Sequence, residues 1–168
     1  RCAMMRSLRP RMRRALRWSL PECAIFGTEE GYTLRSVAWA AGAAFLVDQI
    51  SKYAVVHGMQ LWRVGEIKVL PPLLTFRYGE NRGINFGLFG DAPDLARWVL
   101  IAVAVVICAG VVFWVRRTPM SLWAHISAGL LVGGALANVL DRLYYGYVLD
   151  FLNMSCCGIA NPYVFNIA

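Results

Sequence analysis

The chain has 168 residues, of which 58% are hydrophobic and 16% are charged, whereas soluble domains average about 45–50% and about 25%. This composition argues against an ordinary soluble enzyme and indicates a lipid environment. The net charge of +7 comes from the N-terminus, because seven arginines precede the first acidic residue and the ten remaining basic residues match ten acidic ones. A basic tract beside apolar spans is typical of a cytoplasmic segment facing anionic lipid. We therefore predict membrane lipids and no nucleic acid as partners, with a nucleic-acid-binding arm as the alternative.

The sequence offers no pattern of metal ligands. Its five cysteines match no zinc spacing. His57 and His125 are isolated, and no His-Glu-x-x-His motif is present. We therefore expect no metal and no other cofactor, and a metal-dependent membrane protease has no support.

Three stretches are apolar enough to cross a bilayer, which takes about 20 residues. They are residues 34–56, 95–115 and 122–140. The third is rich in glycine and alanine, which let helix backbones approach closely in lipid, so we expect it at the centre of the bundle. The predicted fold is an all-α polytopic membrane protein, a transmembrane helix bundle with a small extracytoplasmic β-like or interfacial element within residues 57–94.

The chain divides into an Arg-rich N-terminal extension, residues 1–32, expected to be disordered or interfacial, and a membrane domain, residues 33–168. The extension and Arg116-Arg117 belong on the cytoplasmic side by the positive-inside rule. The 57–94 loop and the residues from Asp141 onward then face outward. Residues 162–168 resemble the approach to a fourth span that does not follow, so we expect the domain to be incomplete at its C-terminus.

Polar residues within apolar spans are costly and call for a reason. Asp48 is followed by Lys52 at i+4, on the same helical face. This spacing fits either a helix-end ion pair at the membrane interface or a functional site at the outer rim. Asn81 and Gly83 stand in a stretch that, taken alone, predicts a turn with hydrogen bonding.

Two further carboxylates follow the third apolar stretch. Asn138, Asp141 and Arg142 share a helical face by their spacing, and we interpret the adjacent Asp141 and Arg142 as a structural pair at a helix end. Asp150 has no neighbouring base and lies among apolar residues. Its carboxyl should have a raised pKa unless it is paired or hydrogen-bonded, which makes it an acid–base candidate.

Five segments, taken together and in order, resemble the lipoprotein signal peptidase (signal peptidase II) family. They are DQISK at 48–52, NRGINFG at 81–87, GGALANVLDR at 133–142, GYVLDF at 146–151 and FNIA at 165–168. The corresponding family patterns are Asp-Gln-x-x-Lys, Asn-x-Gly-Ala-Ala-Phe, Gly-Gly-Ala-x-Gly-Asn-x-x-Asp-Arg, Gly-x-Val-x-Asp-Phe and Phe-Asn-x-Ala-Asp. The chain departs from them at Ile84-Asn85, which replace Ala-Ala, at Ala137, which replaces Gly, and at the final Asp, which lies beyond the last residue given.

This resemblance implies a multi-pass aspartic endopeptidase of the bacterial cytoplasmic (inner) membrane, monomeric, with its active site on the periplasmic side. Its substrate would be a diacylglyceryl-modified prolipoprotein, cut before the lipobox cysteine. Asp150 would be one catalytic aspartate, and the other is expected directly after Ala168. Without that second aspartate the 168-residue chain is predicted to be inactive. The resemblance assigns substrate-binding or supporting roles to Asp48, Lys52, Asn81, Gly83, Asn138, Arg142 and Asn166. Asp141 is expected to be structural, because of its interpretation as the partner of Arg142.

The alternative from another class is a non-enzymatic small membrane protein, such as a transporter subunit or an assembly factor. Asp48, Asp141 and Asp150 would then form an ion or proton path. A path needs carboxyls spread across the membrane, whereas a protease site gathers them at the outer ends of the spans. The depth of these three side chains therefore separates the two hypotheses.

Overall fold

The computed structural model describes residues 33–83, 93–156 and 161–168. The predicted N-terminal extension and the departure at Ile84-Asn85 lie outside the described residues. The elements in chain order are α1 (Thr33–Lys52), a π-helical segment (Tyr53–Gly58), α2 (Leu61–Val64), β1 (Glu66–Leu70), β2 (Leu74–Asn81), α3 (Pro93–Arg117), α4 (Leu122–Tyr144) and β3 (Val148–Met154).

Two of the predicted spans form helices with the length and composition of membrane helices. The most apolar 18 residues within Asp94–Arg117 of α3 have a mean hydropathy of 2.8, and those within α4 have a mean hydropathy of 1.4. Both exceed the roughly 20 residues that a bilayer requires. The helix α1 has 20 residues and carries charged residues near its end, so its assignment as a third span stays a prediction.

Small residues allow α4 to pack closely against α1. A Cβ added to Gly129 would lie 2.6 Å from the Val37 carbonyl oxygen, and one added to Gly133 would overlap the backbone of Ala41. The two helices run in the same direction, because successive residues of α1 meet successive turns of α4. The helix α4 also packs against α3, which confirms its predicted central place in the bundle.

The regular part of the first helix ends earlier than its hydropathy predicts. The α-helical geometry of α1 stops at Lys52, and the chain continues as the π-helical segment. Val55 and Val56 of that segment are buried against Leu61, Leu149 and Phe151. These apolar residues therefore fill a small core beneath the sheet, although the sequence alone placed them in a membrane span.

A three-stranded antiparallel sheet stands at the end of the helices where α1 and α4 finish. Its strand order is β1-β2-β3, and β1 and β2 account for the predicted β-like element. The third strand was not predicted. It pairs Asp150 with Gly79 and Leu149 with Glu80 of β2, beyond a bulge that adds one residue to β2. The fold is thus a helical bundle capped by a small sheet and is not strictly all-α.

Residues 161–168 form an extended strip along β3, which we call the return segment. Phe165 makes an isolated antiparallel bridge to Leu152. The amides of Phe151 and Leu152 both donate to the Phe165 carbonyl, each at 2.8 Å, and the Phe165 amide donates back to Leu152. The return segment therefore covers the edge of β3 next to Asp150.

Candidate active site

Asp150 lies on β3 with only 4% of its surface exposed. Each of its carboxylate oxygens accepts one hydrogen bond from a side-chain amide. Asn81 Nδ2, at the end of β2, donates to Oδ2 at 3.0 Å. Asn166 Nδ2, on the return segment, donates to Oδ1 at 2.7 Å. Two elements distant in sequence therefore fix the orientation of this carboxyl.

The surroundings of Asp150 shift the pKa of its carboxyl in opposite directions. Burial raises the pKa of its carboxyl above the ordinary value, and the hydrogen bonds from Asn81 and Asn166 pull that pKa down. The charge of Lys52 lowers the pKa further, while that of Asp141 raises it. Burial prevails, so the pKa lies above the ordinary value although the carboxyl is hydrogen-bonded. A carboxyl in this setting holds its proton to a higher pH than an exposed aspartate does.

Asp150 borders two cavities that share Asn81, Tyr163 and Val164. One, of about 280 Å³, opens toward Glu80 and Arg82. The other, of about 390 Å³, extends toward Asn138, Asn166 and Ala168. The carboxyl is thus buried among protein atoms and yet adjoins space in which a peptide can lie.

A second group of carboxylates lies at the ends of α1 and α4, and we call Asp48, Lys52 and Asp141 the ionic cluster. Lys52 Nζ lies 2.6 Å from Asp48 Oδ2 and 2.7 Å from Asp141 Oδ2. All three residues are at most 2% exposed. Gln49 Nε2 donates to Asp141 Oδ1 at 2.9 Å. The predicted pair of Asp48 and Lys52 therefore forms, but it is buried between helices.

The predicted partner of Asp141 was wrong. Its carboxylate pairs with Lys52 across the helix interface and accepts a hydrogen bond from the Leu149 amide at 3.2 Å. Arg142 instead donates to the Asn138 carbonyl at 3.4 Å on its own helix. Adjacent residues of a helix point about 100° apart, which directs the two side chains to different neighbours. The contacts of Asp141 join α1, α4 and the start of β3, as a structural residue would.

Asn138 links the ionic cluster to Asp150. Its Oδ1 accepts from Lys52 Nζ at 3.4 Å and from Asn166 Nδ2 at 3.2 Å. Since Asn166 also donates to Asp150, a chain of polar contacts runs from the helix interface to the sheet. The predicted supporting residues Asp48, Lys52, Asn81, Asn138 and Asn166 thus come together around Asp150. The three carboxylates gather at one end of the helices, which is the arrangement expected of a protease site.

Gly83 lies just beyond β2 and has a positive φ of 88°, a backbone conformation that favours glycine. A Cβ added here would overlap Leu100 of α3 and lie 3.4 Å from an Arg142 guanidinium nitrogen. The absence of a side chain therefore lets the end of β2 approach both helices. The rest of this motif, residues 84–87, lies outside the described residues.

Sequence reasoning missed Asn153. It lies on β3 with 8% exposure, and its side-chain amide donates to the carbonyls of Asn161 and Tyr163. The signal that could have identified it is an asparagine close to the apolar residues Phe151 and Leu152, because an amide that becomes buried needs hydrogen-bond partners. Within the described ranges, no group of three or more His, Cys, Asp or Glu side chains is placed to hold a metal ion.

Comparison with known proteins gives a consistent result. The signal peptidase (SPase) II family matches residues 40–168. A lipoprotein signal peptidase of Alteromonas mediterranea is 38% identical over 131 residues, covering 77% of this chain and 70% of the relative. One of Sphingopyxis alaskensis is 35% identical over 128 residues, with 76% and 73% covered. One of Methylorubrum extorquens is 39% identical over 139 residues, with 80% and 77% covered.

Two solved structures of bacterial membrane enzymes, both obtained by the in meso method, share the fold. The one at 2.3 Å resolution has a TM-score of 0.65 and 25% identity, covering 81% of this chain and 79% of its own. The one at 1.9 Å resolution has a TM-score of 0.69 and 23% identity, covering 83% and 86%. With a family match over residues 40–168 and relatives at 35–39% identity, the chain belongs to the signal peptidase II family.

Proposed function

We propose that Asp150 is one of two catalytic carboxyls with which this member of the family removes signal peptides from prolipoproteins. The assignment rests on one observation, the surroundings of the Asp150 side chain. It is buried, it adjoins two cavities, and both its oxygens are held by neutral amides. Asp48 and Asp141, by contrast, are both engaged by one lysine.

The chemistry of peptide hydrolysis suits a pair of such groups. One carboxylate takes a proton from the attacking water, while a protonated carboxyl donates to the scissile carbonyl. Two close carboxyls do not ionise together cheaply, so the pair shares a proton and titrates as a unit. Asn81 and Asn166 orient Asp150 for either role, because their amides remain donors whatever its protonation state.

The second carboxyl belongs, in this proposal, to an aspartate directly after Ala168. Ala168 lines the same cavity as Asp150 and Asn166. It also lies against Gly134 of α4, where an added Cβ would be 3.1 Å from the Ala168 carbonyl carbon. This position of Ala168 supports the proposal, because a residue that follows it begins at the cavity that Asp150 lines.

The proposed location is the bacterial cytoplasmic membrane, with the site at the periplasmic surface. Arg116 and Arg117 stand at the end of α3 that is opposite the sheet, and paired arginines in a short link favour the cytoplasmic side. The sheet and Asp150 then lie at the outer surface. The scissile bond of a diacylglyceryl-modified substrate reaches that surface while its acyl chains stay in lipid, with the cut before the lipobox cysteine.

The test uses a chain that continues past Ala168 with Asp, reconstituted with a diacylglyceryl-modified prolipoprotein. We expect Asp150→Asn to lower the rate of signal-peptide release by at least about 1,000-fold, as loss of a residue from a catalytic unit does, while substrate binding is retained. The matched control is Asp94→Asn, which alters an exposed carboxyl at the start of α3 and should leave the rate unchanged. Substantial release by the Asp150 variant would refute the assignment.

A further inference from the structure

We propose that Asn153 is a positioning residue that sets the place of the return segment and, through Asn166, the hydrogen bonding of Asp150. The functional meaning of this inference rests on the proposed catalytic role of Asp150. Asn153 lies on the same strand as Asp150, three residues further along. Its side chain makes hydrogen bonds with Asn161, Tyr163 and Ser155.

The Asn153 side chain clamps the return segment to β3. Its Nδ2 donates to the carbonyl oxygens of Asn161 and Tyr163, both at 2.7 Å. Its Oδ1 accepts from Ser155 Oγ at 3.3 Å. Both amide hydrogens therefore serve backbone groups of one segment. Replacing Asn153 by an apolar residue would leave two carbonyls without these donors, and unsatisfied groups are costly in a buried setting.

A short stretch of backbone connects the residues that Asn153 holds to Asn166. Beyond Tyr163, the next contact with β3 is the bridge between Phe165 and Leu152, and Asn166 follows at once. The segment is thus fixed at two points, and Asn166 comes directly after the second. Asn166 Nδ2 then donates to Asp150 at 2.7 Å and to Asn138 at 3.2 Å.

Gly79 of β2 is the second residue that determines how closely the return segment packs on the sheet. Val164 lies between the two fixed points, and a Cβ added to Gly79 would be 3.2 Å from the Val164 Cβ. Gly79 is also the residue of β2 that pairs with Asp150. The return segment is therefore held between the Asn153 amide and a glycine whose missing side chain permits close approach. A larger residue at position 79 would push the segment without removing a hydrogen bond.

A shift of the return segment would affect Asp150 through one hydrogen bond, the one that Asn166 donates. Hydrogen bonds weaken steeply as geometry departs from the ideal, and the Asn166 contact is one of the two that lower the Asp150 pKa. Among the described residues, the charged groups whose charges act on Asp150 or respond to it are Lys52 on α1 and Asp141 and Arg142 on α4. Glu80 and Arg82 line one of the cavities that Asp150 borders. None of them lies on the return segment, so they stay in place when it moves.

The first measurement uses the 168-residue chain in detergent micelles. The Asp150 carboxyl is titrated by carbon NMR with labelled aspartate, and its signal is identified by its loss in Asp150→Asn. We expect Asn153→Ala to raise the Asp150 pKa and to speed hydrogen exchange of the Phe165 amide. The control is Met154→Ala, which alters an exposed neighbour on the same strand and should move neither value. A folded Asn153→Ala protein with an unchanged Asp150 pKa would overturn the proposal.

Two further variants separate positioning from general stabilisation. In an Asn166→Ala background, Asn153→Ala should add no further pKa shift, since the amide through which it acts is already gone. An equal shift in both backgrounds would contradict the proposed route. Gly79→Ala should also raise the Asp150 pKa, because it displaces the same segment. This variant tests the proposal if Asn153→Ala does not fold.

Kinetics then connect positioning to turnover, in a chain that continues past Ala168 with Asp. We expect Asn153→Ala to lower kcat about tenfold, the equivalent of one lost hydrogen bond, with little change in KM. A rise in KM at constant kcat would assign Asn153 to substrate binding instead. Because the titration does not depend on catalysis, a failure of the positioning proposal is distinguishable from a failure of the catalytic assignment.

Discussion

The ionic cluster and the Asp150 site lie at the same end of the helices, yet their buried carboxylates have different surroundings. In the cluster, one lysine pairs with two aspartates, Asp48 and Asp141, between packed helices. On the sheet, Asp150 has no ion pair among the described contacts, is held by two amides and adjoins open space. The cluster carboxylates are occupied by contacts between helices, whereas Asp150 borders cavities that a substrate can enter. The comparison distinguishes carboxylates that hold the fold from the one that can do chemistry.

The largest effect on stability is expected from breaking the ionic cluster. Lys52→Met would leave Asp48 and Asp141 buried without their cation, and removal of one partner of a buried ion pair costs about 3–5 kcal/mol. We expect this loss in the free energy of unfolding, measured in mixed micelles. Lys68→Met serves as the control, because Lys68 is exposed on β1. Similar stability of the two variants would show that the cluster does not hold the helices together.

Asp141→Asn should have a smaller effect of the same kind. The variant keeps a polar side chain but weakens the contacts to Lys52 and the Leu149 amide, and such losses cost about 1–3 kcal/mol. Turnover per folded molecule should persist in a chain that continues past Ala168 with Asp. A stable variant without activity would instead place Asp141 in the catalytic machinery and remove the contrast with Asp150.

The contrast also predicts a dependence on pH for Asp150→Asn. Because burial raises the folded pKa of Asp150 above 3.8, the folded state retains the proton over a range of pH in which the unfolded chain has lost it. The contribution of Asp150 to stability is therefore complete below the unfolded pKa and declines as pH rises through the folded pKa. The unfolding midpoint of the Asn variant, relative to the parent, should rise across that interval. A difference that is constant with pH would contradict the raised pKa.

The smallest effect is expected at the surface, where Arg82 pairs with Glu80 at 2.8 Å. The side chains are 64% and 36% exposed, and exposed ion pairs contribute little to stability because water and salt screen them. Arg82→Gln should therefore change the unfolding midpoint little, and any change should vanish in high salt. A salt-resistant loss of several degrees would show that Arg82 acts through its contact with the Tyr147 ring as well as through its charge.

Local patterns in the sequence predicted much of the fold. Hydropathy found α3 and α4, glycine and alanine content placed α4 at the centre, and i,i+4 spacing found the pair of Asp48 and Lys52. These features depend on residues within one or two helical turns, so the chain reveals them without a fold. The same local reasoning placed Val55 and Val56 in a span, because hydropathy does not distinguish lipid from an apolar core beneath a sheet.

The motifs also supplied most residues of the candidate site, through their resemblance to one family, and that family is confirmed. The catalytic role of Asp150, the aspartate after Ala168 and the inactivity of the 168-residue chain stay predictions. Asn153 was not singled out, since its partners are backbone carbonyls of a segment that approaches only when β3 and the return segment align.

The sequence by itself determined which stretches are apolar, where small residues allow close packing and which polar residues interrupt them. Only the tertiary structure decided the partners: Lys52 meets Asp141 across 89 positions of chain, and Asn81 meets Asp150 across 69. The reason is that helical spacing fixes the face on which a side chain stands, while the packing of one element on another fixes which side chain it meets.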